Sequence, residues 1–445
     1  MNDMQMAREI AGLVSQAGGK TYLVGGIVRD SILGKENKDV DVEIHGIEVK
    51  KLEEILQTVG QPLEMGVSFG VFGLKGYDID IAMPRKEEKT GKGHKDFKVD
   101  VDPYLGEYKA AKRRDFTINA LMQDVMTGEI VDNFGGRADL EAGVLRHVSD
   151  ETFAEDPLRV LRGAQFAARF ELEIAPETLE ISKQMDLSDL ASERVFGELS
   201  KALIKAQRPS IFFERLRQMG QLDVWFPQLK ELIGLEQNPV FHPEGDVWNH
   251  TMRVIDEAAK LRSEANYPLG FMVAALYHDV GKIKFTALDE TGRIRSIGHE
   301  KDHDTLEEAI VKISNEHHLK HYVHNMMELH MRPNSLAAQT QNSKAYFKLF
   351  DLAASPADLL LLAKADRLGS GSDGGYAQVE ALLREQLKAF EILMDKPYVT
   401  GRDLIEAGLT PGKEFSKLLE FAHKLRLSGV DKDKALKQTL ALYKE

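Results

Sequence analysis

The stretch LVGGIVRDSILGKENKDVDVEIHG, residues 23–46, places paired glycines and an arginine ahead of two aspartates at alternate positions. Asp39 and Asp41 are separated by one valine, and alternate residues of an extended strand lie on one face. Two carboxylates on one face repel each other unless a cation lies between them. Upstream, Gly25 and Gly26 leave backbone amides able to approach an anion. Because carboxylate pairs commonly hold Mg2+ beside a phosphate, this strand predicts a magnesium site.

The segments around this stretch predict a small α/β head. TYLVGG indicates a buried strand that ends in glycines, VRDSIL a short helix and DVDVEIHG the carboxylate strand. Further short strands are predicted at VFGLKG and YDIDIAM. Residues 85–112 are polar and contain several glycines, so we expect a mobile loop there.

The length and periodicity of the chain predict its architecture. A chain of 445 residues exceeds what one hydrophobic core supports, so two or more domains are expected. From about Asp150 onward, helical periodicity dominates and strand patterns almost vanish. The predicted fold class is therefore multidomain α+β, with a small mixed-sheet head followed by a long all-α body.

Composition and charge exclude several classes of protein. The formal net charge of -13 argues against a generally basic nucleic-acid coat, although a local basic groove can still bind phosphates. The absence of cysteine excludes disulfides, thiolate metal ligands and a cysteine nucleophile. The N-terminus lacks an apolar signal core, and no stretch approaches the roughly 18 apolar residues of a membrane span. We therefore expect a cytoplasmic protein with no membrane partner.

Further motifs follow the opening stretch in order: RRDFTINAL at 113–121, GGRADL at 135–140, EDPLRVLR at 155–162 and SERVFGEL at 192–199. Together with GGIVRD and DVDVE, they resemble the motifs of the bacterial tRNA nucleotidyltransferase and poly(A) polymerase family, within the superfamily that includes DNA polymerase beta. The resemblance implies a nucleotidyltransferase head with Mg2+ as its cofactor. It also implies tRNA, CTP and ATP as partners.

The same resemblance assigns roles to individual residues. Asp39 and Asp41, with Asp80 from a neighbouring strand, would hold metals that span the attacking hydroxyl, the reacting phosphate and the leaving pyrophosphate. Asp78 has the same facing as Asp80, so the choice between them stays open. The nucleotide-binding residues implied by the resemblance are Gly25, Gly26, Arg29, Arg114, Asp115, Asp156, Arg159 and Arg162.

The motif EDPLRVLR can also be interpreted from helix geometry. On a helix, Asp156, Arg159 and Arg162 would share one face and offer one acceptor and two forks of donors. Such a face can imitate a base edge, and the resemblance implies that it selects CTP or ATP without a template. The same spacing is also typical of a surface ion pair. Gln165 stands where family members often have an arginine, which leaves the contacts of that position open.

A second motif, LYHDVGK at 276–282, places His278 and Asp279 after an apolar helical run. This resembles the core of the HD phosphohydrolase superfamily and implies an HD-type helical domain in the body. The partners expected to complete a metal site are His250, His299, His330 and Asp366. Imidazoles with carboxylates suit a transition metal such as Mn2+ or Ni2+, whose bound water attacks phosphate esters. His303 lacks a preceding apolar run, and we interpret it as a bystander.

We expect four domains: a nucleotidyltransferase head at 1–149, a helical neck with the base-selecting motif at 150–235, an HD phosphohydrolase domain at 236–370 and a helical tail that contacts tRNA at 371–445. The leading hypothesis is template-independent addition or repair of the 3'-terminal CCA of tRNA. Alternatives of the same class are a partial CC- or A-adding enzyme and a poly(A) polymerase. An HD phosphohydrolase with a relic head is the alternative of another class. The intact Asp39, Asp41 and Asp156 argue against a relic head.

Overall fold

The computed structural model describes residues 1–37, 39–66, 70–89, 97–340, 342–371 and 375–444. The chain divides into two units by its internal contacts. Unit 1 consists of Met1–Leu199 and Ile211–Val224, and unit 2 consists of Ser200–Ser210 and Trp225–Glu445. The boundaries of the four expected domains stay predictions.

Unit 1 contains a seven-stranded mixed sheet. Its strands, with those of three small ladders, are β1 Lys20–Val24, β2 Val40–His45, β3 Pro62–Gly66, β4 Val71–Leu74, β5 Ile79–Ala82, β6 Arg85–Lys89, β7 Phe97–Val101, β8 Met122–Asp124, β9 Ile130–Val131, β10 Val144–Leu145 and β11 Glu173–Ile174, followed in unit 2 by β12 Ala287–Leu288 and β13 Ile294–Arg295. The strand order of the large sheet is β3-β4-β5-β2-β1-β8-β9. Since β2 pairs parallel with β5 and antiparallel with β1, the predicted mixed-sheet head is confirmed.

Eleven α-helices lie in the described part of the first 225 residues, and α1, α2 and α3 contact the large sheet. They are α1 Asp3–Gln16, α2 Gly26–Ile32, α3 Val49–Val59, α4 Glu107–Lys112, α5 Gly136–Ala142, α6 Asp150–Phe153, α7 Leu158–Phe170, α8 Pro176–Lys183, α9 Ser192–Lys205, α10 Ser210–Gln218 and α11 Leu222–Trp225. In α1, a capping box of Asn2 and Gln5 begins the helix. Met6, Ile10 and Val14 are spaced four residues apart and buried. This face of α1 packs against α3, β1 and β2.

The prediction of a loop over residues 85–112 is wrong for its two ends. β6 and β7 pair as an antiparallel ribbon in which Arg85 lies opposite Val101, and α4 follows. Residues 90–96 lie outside the described part of the chain. A two-stranded ribbon can expose both of its faces to solvent, so its sequence need not alternate between apolar and polar residues.

Unit 2 is helical apart from the β12–β13 ladder. Its further helices are α12 Pro227–Glu231, α13 Val247–Leu261, α14 Pro268–Tyr277, α15 Lys282–Phe285, α16 His303–Ile313, α17 His317–Leu329, α18 Arg332–Gln339, α19 Ser343–Leu352, α20 Pro356–Gly369, α21 Tyr376–Asp395, α22 Gly401–Glu406, α23 Glu414–Leu427 and α24 Lys432–Lys444. α14 packs against α13, α17 and α20. The predicted helical body is confirmed, with two-residue strands as its exceptions. Among the described helices, none has the length and apolar character needed to cross a membrane.

The packing of α5 gives a test of the unit 1 fold. A Cβ atom on Gly136 would lie 2.3 Å from the carbonyl oxygen of Thr117 and 3.0 Å from Cγ of Leu121. Gly136→Ala should therefore lower the free energy of unfolding by about 1–3 kcal/mol, because the backbone must shift. Gly12→Ala in α1 is the matched control, since nothing lies within 4 Å of its Cβ position. This control should stabilise the chain by about 0.5–1 kcal/mol. Thermal unfolding measures both, and an unchanged midpoint for Gly136→Ala would contradict the packing.

Candidate functional sites

The carboxylates of Asp41 and Asp80 lie on neighbouring parallel strands. The register of β2 and β5 places Asp41 directly opposite Asp80, so both side chains point to the same face. Burial raises the pKa of Asp41, and the charges of Asp80 and Asp39 raise it further, while Arg114 opposes them. The structure therefore places Asp41 and Asp80 side by side, where a cation would offset their mutual repulsion. The role of Asp39 as a third metal ligand stays a prediction.

The glycine turn between β1 and α2 lies beside these carboxylates. Gly25 has a φ of 70°, in the region that favours glycine. A Cβ atom there would lie 3.5 Å from Nη1 of Arg114 and 3.9 Å from Oδ2 of Asp41. At Gly26, a Cβ atom would lie 3.2 Å from Nδ2 of Asn37. The paired glycines thus keep side chains out of the space between the turn, the carboxylate and the guanidinium.

Arg114 is held by a carboxylate that our sequence analysis missed. Its Nη2 donates to Oε2 of Glu43 at 3.3 Å, and Glu43 is 1% exposed. Burial would raise the pKa of Glu43, but the hydrogen bond from His45 and the charges of Arg114 and Arg113 lower it to about 2. The signal was present in the sequence, because Glu43 continues the alternation of Asp39 and Asp41 on the same strand face.

Arg29 is buried against its neighbour in the chain. Only 3% of the residue is exposed, and its Nε donates to Oδ1 of Asp30 at 2.8 Å. Its Nη1 donates to Oδ1 of Asn119 at 2.6 Å, and its guanidinium lies 4.2 Å from the ring centroid of Phe170. Arg29 therefore connects α2 to the RRDFTINAL segment, and direct contact with a nucleotide stays a prediction.

Asp115 and Arg162 bind each other. Oδ2 of Asp115 accepts hydrogen bonds from Nε and Nη2 of Arg162 at 2.8 and 2.6 Å. Oδ1 accepts from Nδ2 of Asn119 at 3.0 Å. Burial would raise the pKa of Asp115, but the charge of Arg162 and these hydrogen bonds lower it. The pair is ionised, and the Arg162 side chain is still 33% exposed.

The prediction that Asp156 shares a helix face with Arg159 and Arg162 is wrong. α7 begins at Leu158, and Asp156 lies before it and accepts the Leu158 N–H through Oδ1 at 3.1 Å. The physical reason is Pro157, which disfavours the helical conformation of the residue before it. The motif therefore combines a residue that caps the helix start with two arginines on the helix itself.

Asp156 and Arg159 also have separate partners. Oδ2 of Asp156 accepts from Nη2 of Arg194 at 2.9 Å, and Arg194 belongs to SERVFGEL, a motif whose residues we had not assigned. Arg159 donates to the backbone carbonyls of Thr152 and Arg113, the latter at 2.8 Å. Asp156 and Arg194 remain 30% and 37% exposed. Gln165, by contrast, is 2% exposed.

In unit 2, the six predicted metal ligands converge from distant positions in the chain. Nε2 of His250 lies 3.3 Å from Nε2 of His278 and 3.1 Å from Oδ1 of Asp366. Oδ1 of Asp279 lies 3.0 Å from Nε2 of His299 and 3.8 Å from Nε2 of His330. All four histidines and Asp279 are buried. The predicted order of ligands thus corresponds to one cluster.

The orientation of the histidines suits a metal ion. Nδ1 of His278, His299 and His330 lies 2.6–2.8 Å from the carbonyl oxygen of the residue three positions earlier. An N–H at Nδ1 satisfies that carbonyl and leaves the Nε2 lone pair directed into the cluster, as metal-binding histidines require. His250 is oriented in the same way by Oε1 of Glu244, 2.7 Å from its Nδ1.

The electrostatics of the cluster favour a cation. Oδ2 of Asp279 and Nε2 of His299 are buried and lack a hydrogen bond of good geometry among the described residues, although charged atoms lie nearby. Burial disfavours a charged His250, but hydrogen bonds from its ring to Asp366 and Glu244 raise its pKa to about 9. Burial and the charge of His278 lower the pKa of His330 to about 4. A metal ion would coordinate Oδ2 of Asp279 and Nε2 of His299 and replace the proton on Nε2 of His250, so the residues fit a metal.

Lys282 and Glu244 are further residues of this site that our sequence analysis missed. Nζ of Lys282 lies 2.7 Å from Oδ2 of Asp279, and the lysine is 7% exposed. Glu244 contacts His242 at 2.9 Å as well as His250. The signal for Glu244 was its position between two histidines in HPEGDVWNH. Neighbours of this kind orient metal ligands and neutralise charge beside them.

A cavity of about 620 Å3 opens beside the cluster. Its wall includes the metal-cluster residue His299 and three cations, Lys282, Arg293 and Arg295. Phe241 and Ile297 line the same cavity and are 69% and 76% exposed. The volume lies in the range of small-molecule sites, and the cations suit a phosphate-bearing ligand.

Three protein-family models match the chain. The model of the poly A polymerase head domain matches residues 21–146. The model described as a probable RNA and SrmB binding site of polymerase A matches residues 171–233. The HD domain model matches residues 247–370, which include all six residues of the metal cluster.

Curated relatives share close to half of their residues with this chain where they align. A multifunctional CCA protein of Nitrosospira multiformis is 44% identical over 285 residues, which are 63% of this chain and 65% of that protein. The multifunctional CCA protein of Haemophilus ducreyi is 41% identical over 63% of its length. These alignments span less than two thirds of each relative. For Methylobacillus flagellatus, the multifunctional CCA protein is 42% identical over 66% of this chain and 69% of the relative.

Solved structures share the fold at low sequence identity. The Bacillus stearothermophilus CCA-adding enzyme in complex with CTP has a TM-score of 0.69 and 20% identity, with 100% of this chain and 98% of that chain covered. The Thermotoga maritima CCA-adding enzyme complexed with tRNA has a TM-score of 0.64 and 20% identity, with 99% and 95% covered. The Methylobacillus relative and the ordered domain models show that the chain belongs to the tRNA nucleotidyltransferase and poly(A) polymerase family, as a relative of the multifunctional CCA proteins.

Proposed function

We propose that this protein adds or repairs the 3'-terminal CCA of tRNA with CTP and ATP, without a nucleic-acid template. The observation that carries the proposal is the placement of Asp41 opposite Asp80, beside Arg114 and the Gly25 turn. The names of the relatives and of the solved structures support the same activity. Such an enzyme works on the cytoplasmic tRNA pool, so we assign the protein to the cytoplasm.

The residues of unit 1 have distinct parts in this reaction. Asp39, Asp41 and Asp80 would hold Mg2+, which when bound promotes attack by the tRNA hydroxyl and stabilises the charge of the reacting and leaving phosphates. Arg114, oriented by Glu43, presents its guanidinium to a triphosphate at the Gly25 turn. Its charge stabilises negative charge on the leaving pyrophosphate.

Base selection is assigned to the partly exposed residues around α7. Asp156 offers an acceptor, and Arg194 and Arg162 offer donors on side chains that solvent still reaches. Arg159 holds the backbone of Thr152 and Arg113 and so determines where the Asp156 segment lies. A donor and acceptor pair of this kind distinguishes cytosine and adenine from bases with the opposite pattern.

For unit 2 we propose a second activity, the hydrolysis of a phosphomonoester or a 2',3'-cyclic phosphate at an RNA end. The convergence of four Nε2 atoms with Asp279 and Asp366 supports a transition metal such as Mn2+ or Ni2+. Lys282 and the arginines of the adjacent cavity suit the phosphate. We retain the proposed four domains, in which residues 371–445 contact tRNA.

The metal carboxylates give the first functional test. Asp41→Ala and Asp80→Ala should each lower nucleotide addition by several orders of magnitude while tRNA binding persists, because the carboxylates act on charge that develops in the transition state. Asp78→Ala should be much milder, since Asp78 precedes β5. Labelled CTP or ATP incorporation into tRNA lacking its 3' end, resolved nucleotide by nucleotide on a gel, measures this. The same gel separates full from partial addition. Undiminished addition by Asp41→Ala would exclude the assignment.

The base-selecting residues predict a change of fidelity. Asp156→Ala removes the acceptor, and Arg159→Ala removes the hydrogen bond to the Thr152 carbonyl, which holds the segment before Asp156. Both variants should misincorporate UTP or GTP while their Mg2+ dependence is unchanged, because the metal carboxylates are intact. Single-nucleotide incorporation assays measure the preference. An unchanged preference in both variants would reduce this face to a structural role.

The two sites should be separable. Asp279→Ala should lose the bound transition metal and the hydrolysis of phosphate esters, because it removes a buried ligand between His278 and His299. CCA addition should survive in the same protein. Elemental analysis, with hydrolysis assays in Mn2+, Ni2+, Co2+ and Mg2+, measures both effects. If the unmodified protein holds no metal and hydrolyses nothing in this series, the cluster is structural.

A further inference from the structure

Asn37 connects the backbone of Asp39 to the buried Arg29–Asp30 pair. Its side-chain Oδ1 accepts the backbone N–H of Asp39 at 3.0 Å. Its Nδ2 donates to Oδ2 of Asp30 at 2.8 Å. Asp30 is 2% exposed, and its other oxygen accepts from Arg29. The amide of Asn37 therefore joins a predicted metal ligand to a buried and charged anchor.

The chemistry of the two partners determines the orientation of this amide. The Asp30 carboxylate can only accept hydrogen bonds, and the Asp39 N–H can only donate one. A flipped amide would place Oδ1 against the carboxylate and Nδ2 against the N–H. Both ends of the Asn37 side chain are thus required, and no charged or shorter side chain reproduces them.

Asp39 needs such a contact because the sheet does not hold it. The ladder between β2 and β5 begins at the Val40–Ile79 pair and includes Asp41 opposite Asp80. Asp39 precedes this ladder and is exposed. Strand pairing therefore orients Asp41, whereas the direction of the Asp39 carboxylate depends on how the chain enters β2.

The series of hydrogen-bonded side chains continues from the Arg29–Asp30 pair as far as α7. Arg29 donates to Asn119 at 2.6 Å, Asn119 donates to Asp115 at 3.0 Å, and Arg162 donates to Asp115 at 2.6 Å. An unbroken series of side-chain hydrogen bonds thus extends from the backbone of Asp39 to α7. Each member is paired on both sides, which limits the movement of the next.

We propose that Asn37 is a positioning residue for nucleotidyl transfer, which holds Asp39 where it can share a metal ion with Asp41 and Asp80. The inference rests on the proposed function of unit 1. Asn37 does not touch the reacting atoms. Its effect passes through the backbone of Asp39, and so it concerns metal affinity and turnover more than the binding of CTP.

The expected consequence is a weakened metal site. Asn37→Ala should raise the Mg2+ concentration for half-maximal CCA addition by about 10- to 100-fold, as for other residues that orient metal ligands. At the Mg2+ concentration that half-saturates the unmodified protein, kcat should fall by a similar factor. At saturating Mg2+, the KM for CTP should stay within about twofold of the unmodified value, and excess Mg2+ should restore much of kcat. Asn37→Asp should lose more, because it sets a carboxylate against Asp30.

Glu36→Ala is the matched control, since Glu36 is exposed on the same segment. It should leave Mg2+ dependence and kcat unchanged. Thermal unfolding of all variants shows whether unit 1 is intact. Calorimetric titration of Mn2+, in full-length protein carrying Asp279→Ala to remove the second site, gives a readout independent of activity. There Asn37→Ala should raise the Kd by about 10- to 100-fold.

Two outcomes would overturn the inference. One is an Asn37→Ala protein with normal kcat, Mg2+ dependence and Mn2+ affinity. The other is a loss of activity that excess Mg2+ does not restore and that leaves Mn2+ affinity unchanged, since Asn37 would then be structural only. Either result leaves the proposed function intact if the unmodified protein adds nucleotides to tRNA. No addition by the unmodified protein would instead refute the proposed function itself.

Discussion

Burial of the Arg29–Asp30 ion pair is the constraint on which the unit 1 site depends. Both residues are at most 3% exposed, and a buried charge that loses its partner costs about 3–5 kcal/mol. The remaining donors and lone pairs must therefore be satisfied by neighbours, and Asn119 and Asn37 satisfy them. Asn37 holds the backbone of Asp39, and Asn119 holds Asp115. The partners of one buried ion pair therefore connect the proposed metal carboxylates to α7.

The buried polar groups of the unit 2 metal cluster also need partners, and the partner that they favour is a cation. His278 and His330 directly follow the last residues of α14 and α17, and each uses Nδ1 to satisfy a carbonyl three residues earlier. His299 does the same for Ser296, which lies outside the helices. Carbonyls at helix ends lack partners within the helix. The arrangement therefore satisfies the backbone and leaves the Nε2 atoms facing buried carboxylates. Since the four imidazoles and Asp279 are buried, a cation is the natural occupant of the space between them.

Local sequence predicted some features of unit 1 and was misleading about others. In DVDVEIH, the shared facing of Asp39 and Asp41 is a prediction from strand geometry alone, and the structure shows that Asp41 lies opposite Asp80. The prediction for EDPLRVLR was wrong about Asp156, because we applied helical spacing across a proline. The prediction for residues 85–112 was wrong about its ends, because a paired ribbon need not carry an apolar pattern.

The sequence by itself determined the mixed-sheet head, the helical body, the strand face of the carboxylates and the order of the HD ligands, because each depends on short-range periodicity or on an ordered set of motifs. Only the tertiary structure decided which aspartate of YDIDIAM lies opposite Asp41, that Glu43 holds Arg114, and that Arg194 binds Asp156. It likewise decided that Asn37 joins Asp39 to Asp30. These contacts depend on strand register, chain reversal and the pairing of buried charges, which involve residues with no local pattern in common.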